Sequence, residues 1–244
     1  MRKILLALAL LFCANEAFAG FNPIQQARNQ AATSTGISVT VSATTKGNLV
    51  VVGIDLDDQV ATLTSVTDNA TGGSNTYALS SAVDFSGKRM YVAYGVQING
   101  GATSITTAYS GTTAFTRVGV DEYSGNAPTN ALVFDRASSG TGGGTAISVS
   151  SFTPAQDGNL IVAWGMINNF LVWTAGSGYT LFNGPNPEQL KSQYKLYSSG
   201  AETAPMSTAT DSFGWGAYAI SFNPGPAQTT NIYNTKLYNT KIYG

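Results

Sequence analysis

Apolar residues along this chain fall in short runs rich in Val, Ile, Thr and Tyr, and helical spacing is nearly absent. Clusters of Gly, Asn, Asp and Pro separate the runs, the rhythm expected of sandwiches and barrels. The pattern predicts strands near Ile37–Ala43, Leu49–Leu56, Thr62–Thr67, Tyr77–Val83, Arg89–Val96 and Thr103–Ala108. Further strands are predicted near Thr116–Ser124, Ala131–Ala137, Ala146–Ser151, Leu160–Met166, Gln193–Tyr197 and Gly216–Phe222. Two of these, Leu49-Val50-Val51-Val52 and Leu160-Ile161-Val162-Ala163-Trp164, are apolar without a break. Such a strand has both faces dry and belongs at the centre of a packed structure. Ser86-Gly87, Asn99-Gly100-Gly101 and Asn183-Gly184-Pro185 supply turn chemistry between runs.

The runs also repeat. Gly36-Ile37-Ser38-Val39, ending Gly47-Asn48-Leu49-Val50-Val51, returns as Ala146-Ile147-Ser148-Val149, ending Gly158-Asn159-Leu160-Ile161-Val162. Asn75-Thr76-Tyr77-Ala78-Leu79 pairs loosely with Ser177-Gly178-Tyr179-Thr180-Leu181. Repetition on this scale marks a duplicated structural unit. The expectation is one β-sandwich domain over residues 36–224, with each copy sending strands into both sheets because neither buries its apolar faces alone.

Outside that span the pattern changes. Residues 1–19 read as a secretory signal peptide: Arg2 and Lys3, the apolar stretch Ile4 to Phe12, then Ala17-Phe18-Ala19 at the cleavage site. The apolar stretch is shorter than the about 20 residues a membrane helix needs, so a secreted protein of the extracellular space or cell surface, without a membrane span, is expected. Residues 20–35 read as a polar N-terminal arm. Residues 225–244 carry a repeat, Ile232-Tyr233-Asn-Thr-Lys, Leu237-Tyr238-Asn-Thr-Lys, then Ile242-Tyr243. Bulky apolar and amide side chains in alternation favour extended backbone, so this tail is read as a strand seeking an edge for assembly.

Gly47-Asn48-Leu49-Val50-Val51-Val52, Val66-Thr67-Asp68-Asn69, Asn75-Thr76-Tyr77, Tyr91-Val92-Ala93-Tyr94, Glu122-Tyr123-Ser124-Gly125 and Trp173-Thr174-Ala175-Gly176-Ser177-Gly178-Tyr179-Thr180 together resemble jelly-roll domains of secreted bacterial surface proteins. The resemblance covers roughly Gly36 to Asn223. It implies an all-β, jelly-roll-type antiparallel β-sandwich with internal duplication of a five- to six-strand unit, and it implies no chemistry.

Composition narrows the function. The chain has no His, and its one cysteine, Cys13, lies in the signal. Ser-His-Asp and Cys-His nucleophilic machinery is thereby excluded, with most zinc and iron sites. Loss of Arg2, Lys3 and Glu16 takes the 12 basic and 13 acidic residues to 10 and 12, too balanced for a nucleic-acid partner. Gly140-Thr141-Gly142-Gly143-Gly144 lacks the Lys and helix of a phosphate loop. A glycosidase needs two facing carboxyl groups. Asp121 and Glu122, adjacent on a strand, point to opposite faces, leaving one of them to pair with Asp135, Asp157 or Glu188. No cofactor is expected, calcium excepted: Asp55, Asp57 and Asp58 offer hard oxygens.

Aromatic rings suit a pyranose face. Trp164 and Trp215 fall in strand runs and read as core. Phe170, Trp173 and Tyr179 fall in the predicted loop Asn168–Gly184, where Asn168, Asn169 and Asn183 add hydrogen-bonding amides. The expected function is a non-catalytic module for surface attachment or recognition, with an extracellular glycan or surface component as partner. Its rivals are a structural subunit that self-associates by strand addition, through the tail or the arm, and a carboxylate-based polysaccharide-active enzyme.

Overall fold

The computed structural model describes residues 21–125, 134–182 and 188–223. The signal peptide, Asn183, and the tail with Ile232, Tyr233, Leu237, Tyr238, Ile242 and Tyr243 lie outside them. Every regular element among the described residues is a strand, and every ladder is antiparallel. No helix there is long and apolar enough to cross a membrane.

The first half of the chain supplies β1 (Asn22–Thr40), β2 (Leu49–Leu56), β3 (Leu63–Asp68), β4 (Ala78–Leu79), β5 (Val83–Phe85), β6 (Lys88–Gly95) and β7 (Ser104–Ser124). They form one sheet in the order β1-β7-β2-β6-β4, with β3 added on β7 and β5 on β6. The second half supplies β8 (Phe134–Gly142), β9 (Ala146–Ile147), β10 (Leu160–Leu171), β11 (Trp173–Ala175), β12 (Thr180–Leu181), β13 (Glu188–Leu196), β14 (Met206–Thr208) and β15 (Trp215–Phe222). These make a five-stranded sheet, β12-β13-β10-β15-β8, and a three-stranded one, β11-β14-β9.

Alternation of side chains across each strand divides the interior into three cores. One face of β2 (Val50, Val52, Ile54, Leu56) packs with Val118 and Val120 of β7, and with Ile37, Val39, Leu63, Val66 and Ile105, all from the first half. One face of β10 (Ile161, Ala163, Ile167) packs with Trp173, Met206 and Trp215, all from the second half. The remaining faces meet each other: Leu49, Val51, Met90, Val92 and Tyr123 oppose Leu160, Val162, Trp164, Met166, Ile220 and Phe222. The unbroken apolar runs are thus strands covered on both sides, and all of Leu49–Leu56 is buried.

Trp164 is the keystone of the shared core. Gly53 and Gly119 are cross-strand partners on β2 and β7. A Cβ on Gly53 would come within 2.3 Å of the indole, and one on Gly119 within 2.5 Å. Two missing side chains therefore make the hollow that the indole of the facing sheet fills.

Three expectations need correction. Each sheet is drawn from one half of the chain, where strands from each half in both sheets were expected. The long β1 and β7 extend beyond β2 and cover one face of their own half, so each half buries that face unaided. Residues 21–35 form no arm: β1 begins at Asn22 and pairs with β7 from Ser124 down to Ser104. Its polar composition fits because Gln25 and Asn29 turn back to bond Ser42 and Ser38. The predicted strands Thr103–Ala108 and Thr116–Ser124 are one strand, β7, which pairs with β1 on either side of a register shift between Ala108 and Thr113.

Candidate functional site

The predicted loop Asn168–Gly184 is mostly sheet. β10 continues to Leu171, and β11 and β12 follow. Trp173 is 2% exposed, with its indole N–H donating to the Glu188 carbonyl at 2.7 Å. Tyr179 is buried, with its hydroxyl donating to Glu202 at 3.1 Å, and desolvation together with that carboxylate pushes its phenol well above the usual range. Neither ring offers a face to a ligand. Periodicity did not separate these two from Phe170, because a short strand between Gly and Asn residues looks like a loop in sequence.

Phe170 is a different case, 57% exposed at the end of β10. Asn168 and Asn169 precede it, half-buried. The Asn168 amide donates to the carbonyl of Phe213 at 3.4 Å. Phe213 lies two residues before Trp215, the first β15 residue paired with β10, opposite Ile167. Its ring is 74% exposed, and its backbone sits at φ 54°. A bulky residue in the left-handed region costs on the order of 1–3 kcal/mol and persists only where its surroundings impose it. Here Asp211 imposes it, accepting the N–H of Phe213 at 2.9 Å and that of Gly144 at 3.1 Å. Sequence reasoning passed over Phe213; its one signal is a large apolar residue inside the polar turn Asp211-Ser212-Phe213-Gly214.

The carboxylates considered for calcium are engaged elsewhere. Arg117 donates to Asp55 at 2.6 Å and to Asp57 at 3.2 Å, and Lys88 pairs with Asp57. Asp58 accepts the N–H groups of Val60 and Ala61 at 2.9 and 2.7 Å, a turn cap. Among the described residues no group of three or more acidic side chains, His or Cys is arranged for a metal. Asp55 is fully buried, and desolvation raises its carboxyl to about 6 against the pull of Lys88 and Arg117.

Asp121 and Glu122 do face opposite ways. Glu122 accepts from Thr45 N–H, the Asn48 amide and Gln25. Asp121 points into the space between the large sheets, where Gln26 donates to it at 2.9 Å and Arg28 at 3.4 Å. Arg28 also donates to Ser192 at 3.1 Å, lies 4.0 Å from Glu188, and stacks 4.5 Å from the Trp164 ring. Ser192, Glu188 and Trp164 all belong to the facing sheet, so Arg28 ties the halves together. Desolvation raises both Asp121 and Glu188, with Arg28 opposing it. Sequence alone paired neither Arg28 nor Ser192 with Asp121, since Arg28 stands 93 residues from Asp121 and 164 from Ser192.

The fold is thus all-β with antiparallel sheets, consistent with a β-sandwich, and among the described residues Phe170 and Phe213 are exposed rings, with Asn168 bonded to the Phe213 carbonyl. No family model, curated protein or solved structure matches the chain.

Proposed function

We propose that this chain is a secreted, non-catalytic module for surface attachment or recognition, with glycans as its ligand class and the rim of Phe170, Phe213, Asn168 and Asn169 as its binding surface. The observation that carries the reading is Phe213: an exposed ring held in a costly backbone conformation by Asp211, its carbonyl bonded to the Asn168 amide, which lies two residues along the chain from a second exposed ring, Phe170. Strain maintained at an exposed ring is the mark of a side chain kept for contact, and flat apolar faces flanked by amides match a sugar ring. A glycan array with wild type, Phe170→Ala and Phe213→Ala tests it. Binding lost in the variants supports the reading, while no binding by wild type, or equal binding by all three, counts against it.

The proposal extends to the architecture: each half is a jelly-roll-type unit, and the two are duplicates. Support comes from the strand orders β1-β7-β2-β6-β4 and β8-β15-β10-β13-β12, in which each position has its counterpart. The smaller layers, β3-β7-β1 and β11-β14-β9, correspond likewise. The repeated Gly-Asn-Leu supports it in detail. Gly47 and Gly158 have φ of 87° and 82°, and Asn48 and Asn159 are both buried. Ile98 N–H donates to Asn48 O and Tyr197 N–H to Asn159 O. Each amide side chain donates to a carboxylate, Glu122 or Asp135, that also accepts a loop N–H, from Thr45 or Ala155.

A second reading, assembly by strand addition through the tail, draws on one observation. Phe222 pairs with Phe134 at the start of β8, an edge strand, so the chain leads toward its tail from beside that edge. Size-exclusion of protein ending at Pro226 tests it, and an unchanged oligomeric state counts against it. The arm is paired with β7 on one side, as the edge strand of its own sheet.

A further inference from the structure

Behind the Phe170 ring, at one end of the cleft between the large sheets, stand Asp55 of β2, Asp57 just after it, Lys88 of β6 and Arg117 of β7. Asp55 and Arg117 are cross-strand partners. One Arg117 nitrogen is shared between Asp55 and Asp57, at 2.6 and 3.2 Å. The guanidinium lies 4.4 Å from the Phe115 ring and 5.7 Å from Phe170, which belongs to the facing sheet. A cation between two ring faces is attracted by both, so the position of Arg117 bears on the position of Phe170. Lys88 already pairs with Asp57. Tyr109 is the remaining titratable neighbour, and its hydroxyl meets Thr116, which donates to the Asp55 carbonyl. Asp55 is buried completely, and its second carboxylate oxygen has no hydrogen-bond partner among the described residues.

We infer that Asp55 is a proton-operated support for the recognition rim: its ionisation decides how Arg117 divides between Asp55 and Asp57, and Arg117 sets where the Phe170 ring rests. An ionised carboxylate with one oxygen dry and unpartnered is costly, so uptake of a proton from solvent relieves Asp55. It also weakens that carboxyl's hold on Arg117. Asp57 then takes the larger share, and the guanidinium shifts beneath the ring. The position of the Asp55 carboxyl, raised to about 6 by burial, puts the change in weak acid. The consequence for binding rests on Phe170 belonging to a recognition surface; the switch itself does not.

Carbon-13 NMR of the full chain tests it, following the Asp55 carboxyl and a ring-labelled Phe170 between about pH 4 and pH 8. Asp55→Asn and Phe170→Leu assign the signals. The expected result is a Phe170 shift with the same midpoint as Asp55, absent in Asp55→Asn. Asp57→Asn, at a partly exposed position, removes a repelling charge and should lower both midpoints together. An Asp55 midpoint in the ordinary carboxylate range overturns the inference, as does a Phe170 signal that stays flat or keeps its inflection in Asp55→Asn. Should Asp55→Asn fail to fold, Asp57→Asn decides: joint movement supports the switch, and a Phe170 midpoint that stays put overturns it. None of these signals requires a glycan, so failure of the binding reading is read separately.

Discussion

Gly53→Ala adds a single methyl group to the shared core, and the geometry around it permits a quantitative expectation. The new Cβ would come within 2.3 Å of one indole carbon of Trp164 and 2.4 Å of another. Real Cβ atoms do not approach so closely, and neither party can yield easily. Gly53 lies on a fully buried strand paired on both sides, and Trp164 is fully buried beneath the Arg28 guanidinium. Overpacking of this kind costs about 1–3 kcal/mol. Trp164→Ala alone costs about 3–5 kcal/mol by leaving a cavity. In the double variant the methyl group no longer clashes and fills part of that cavity. The combined loss should therefore fall short of the sum by about 2 kcal/mol, a coupling within the range seen for contacting residues. Urea denaturation of the four proteins measures it, provided the m-values agree. Additivity within about 0.5 kcal/mol would show that Gly53 and Trp164 are not in contact and refute the packing of one half on the other.

Stability should rise on mild acidification. The unfolded reference for Asp55 is 3.8 and its folded value about 6, so it contributes stability fully present below 3.8 and lost as pH rises through 6, on the order of 3 kcal/mol. Asp121 and Glu188 act in the same direction, whereas Asp58 and Asp84, both lowered, remove stability at still lower pH. Thermal melts should peak in weak acid, with a slope that Asp55→Asn flattens; a peak at neutral pH contradicts this. Asn159→Ala should cost about 1–3 kcal/mol in urea unfolding, by removing the amide that donates to the buried Ser221 and to Asp135, and Asn48→Ala a similar amount; losses under about 0.5 kcal/mol would mean these amides anchor nothing. Phe213→Gly should raise stability by about 1 kcal/mol, by relieving the left-handed backbone, while abolishing glycan binding; a loss of stability would show that no strain is held there. Millimolar calcium should leave the melting temperature unchanged, because Arg117 and Lys88 already occupy Asp55 and Asp57; a clear rise would show that these cations are displaced.

Much of the fold was legible in the sequence, because strands covered on both faces need unbroken apolar runs and hairpins need Gly at left-handed positions. Leu49–Leu56 was read to the residue, and Ser86-Gly87 is the two-residue turn expected, with φ of 42° and 79° between Phe85 and Lys88. The repeat of Gly-Asn-Leu was visible for the same reason, since a local backbone demand leaves a local mark. Long-range partnership leaves none. That polar residues 22–35 form a strand depended on a free edge of β7. That Trp173 is core and Phe170 is not depended on which side of β10 the small sheet closes. That Arg28, Asp121 and Ser192 meet depended on two glycines making room opposite Trp164. Residue order sets which backbone shapes and which faces are affordable, and it did so here for long apolar strands such as β2 and β10, whereas β11, β12, β14 and the first part of β1 were not foreseen. Which face meets which, and which ring is left outside, is decided only when separate stretches of chain compete for the same dry surface.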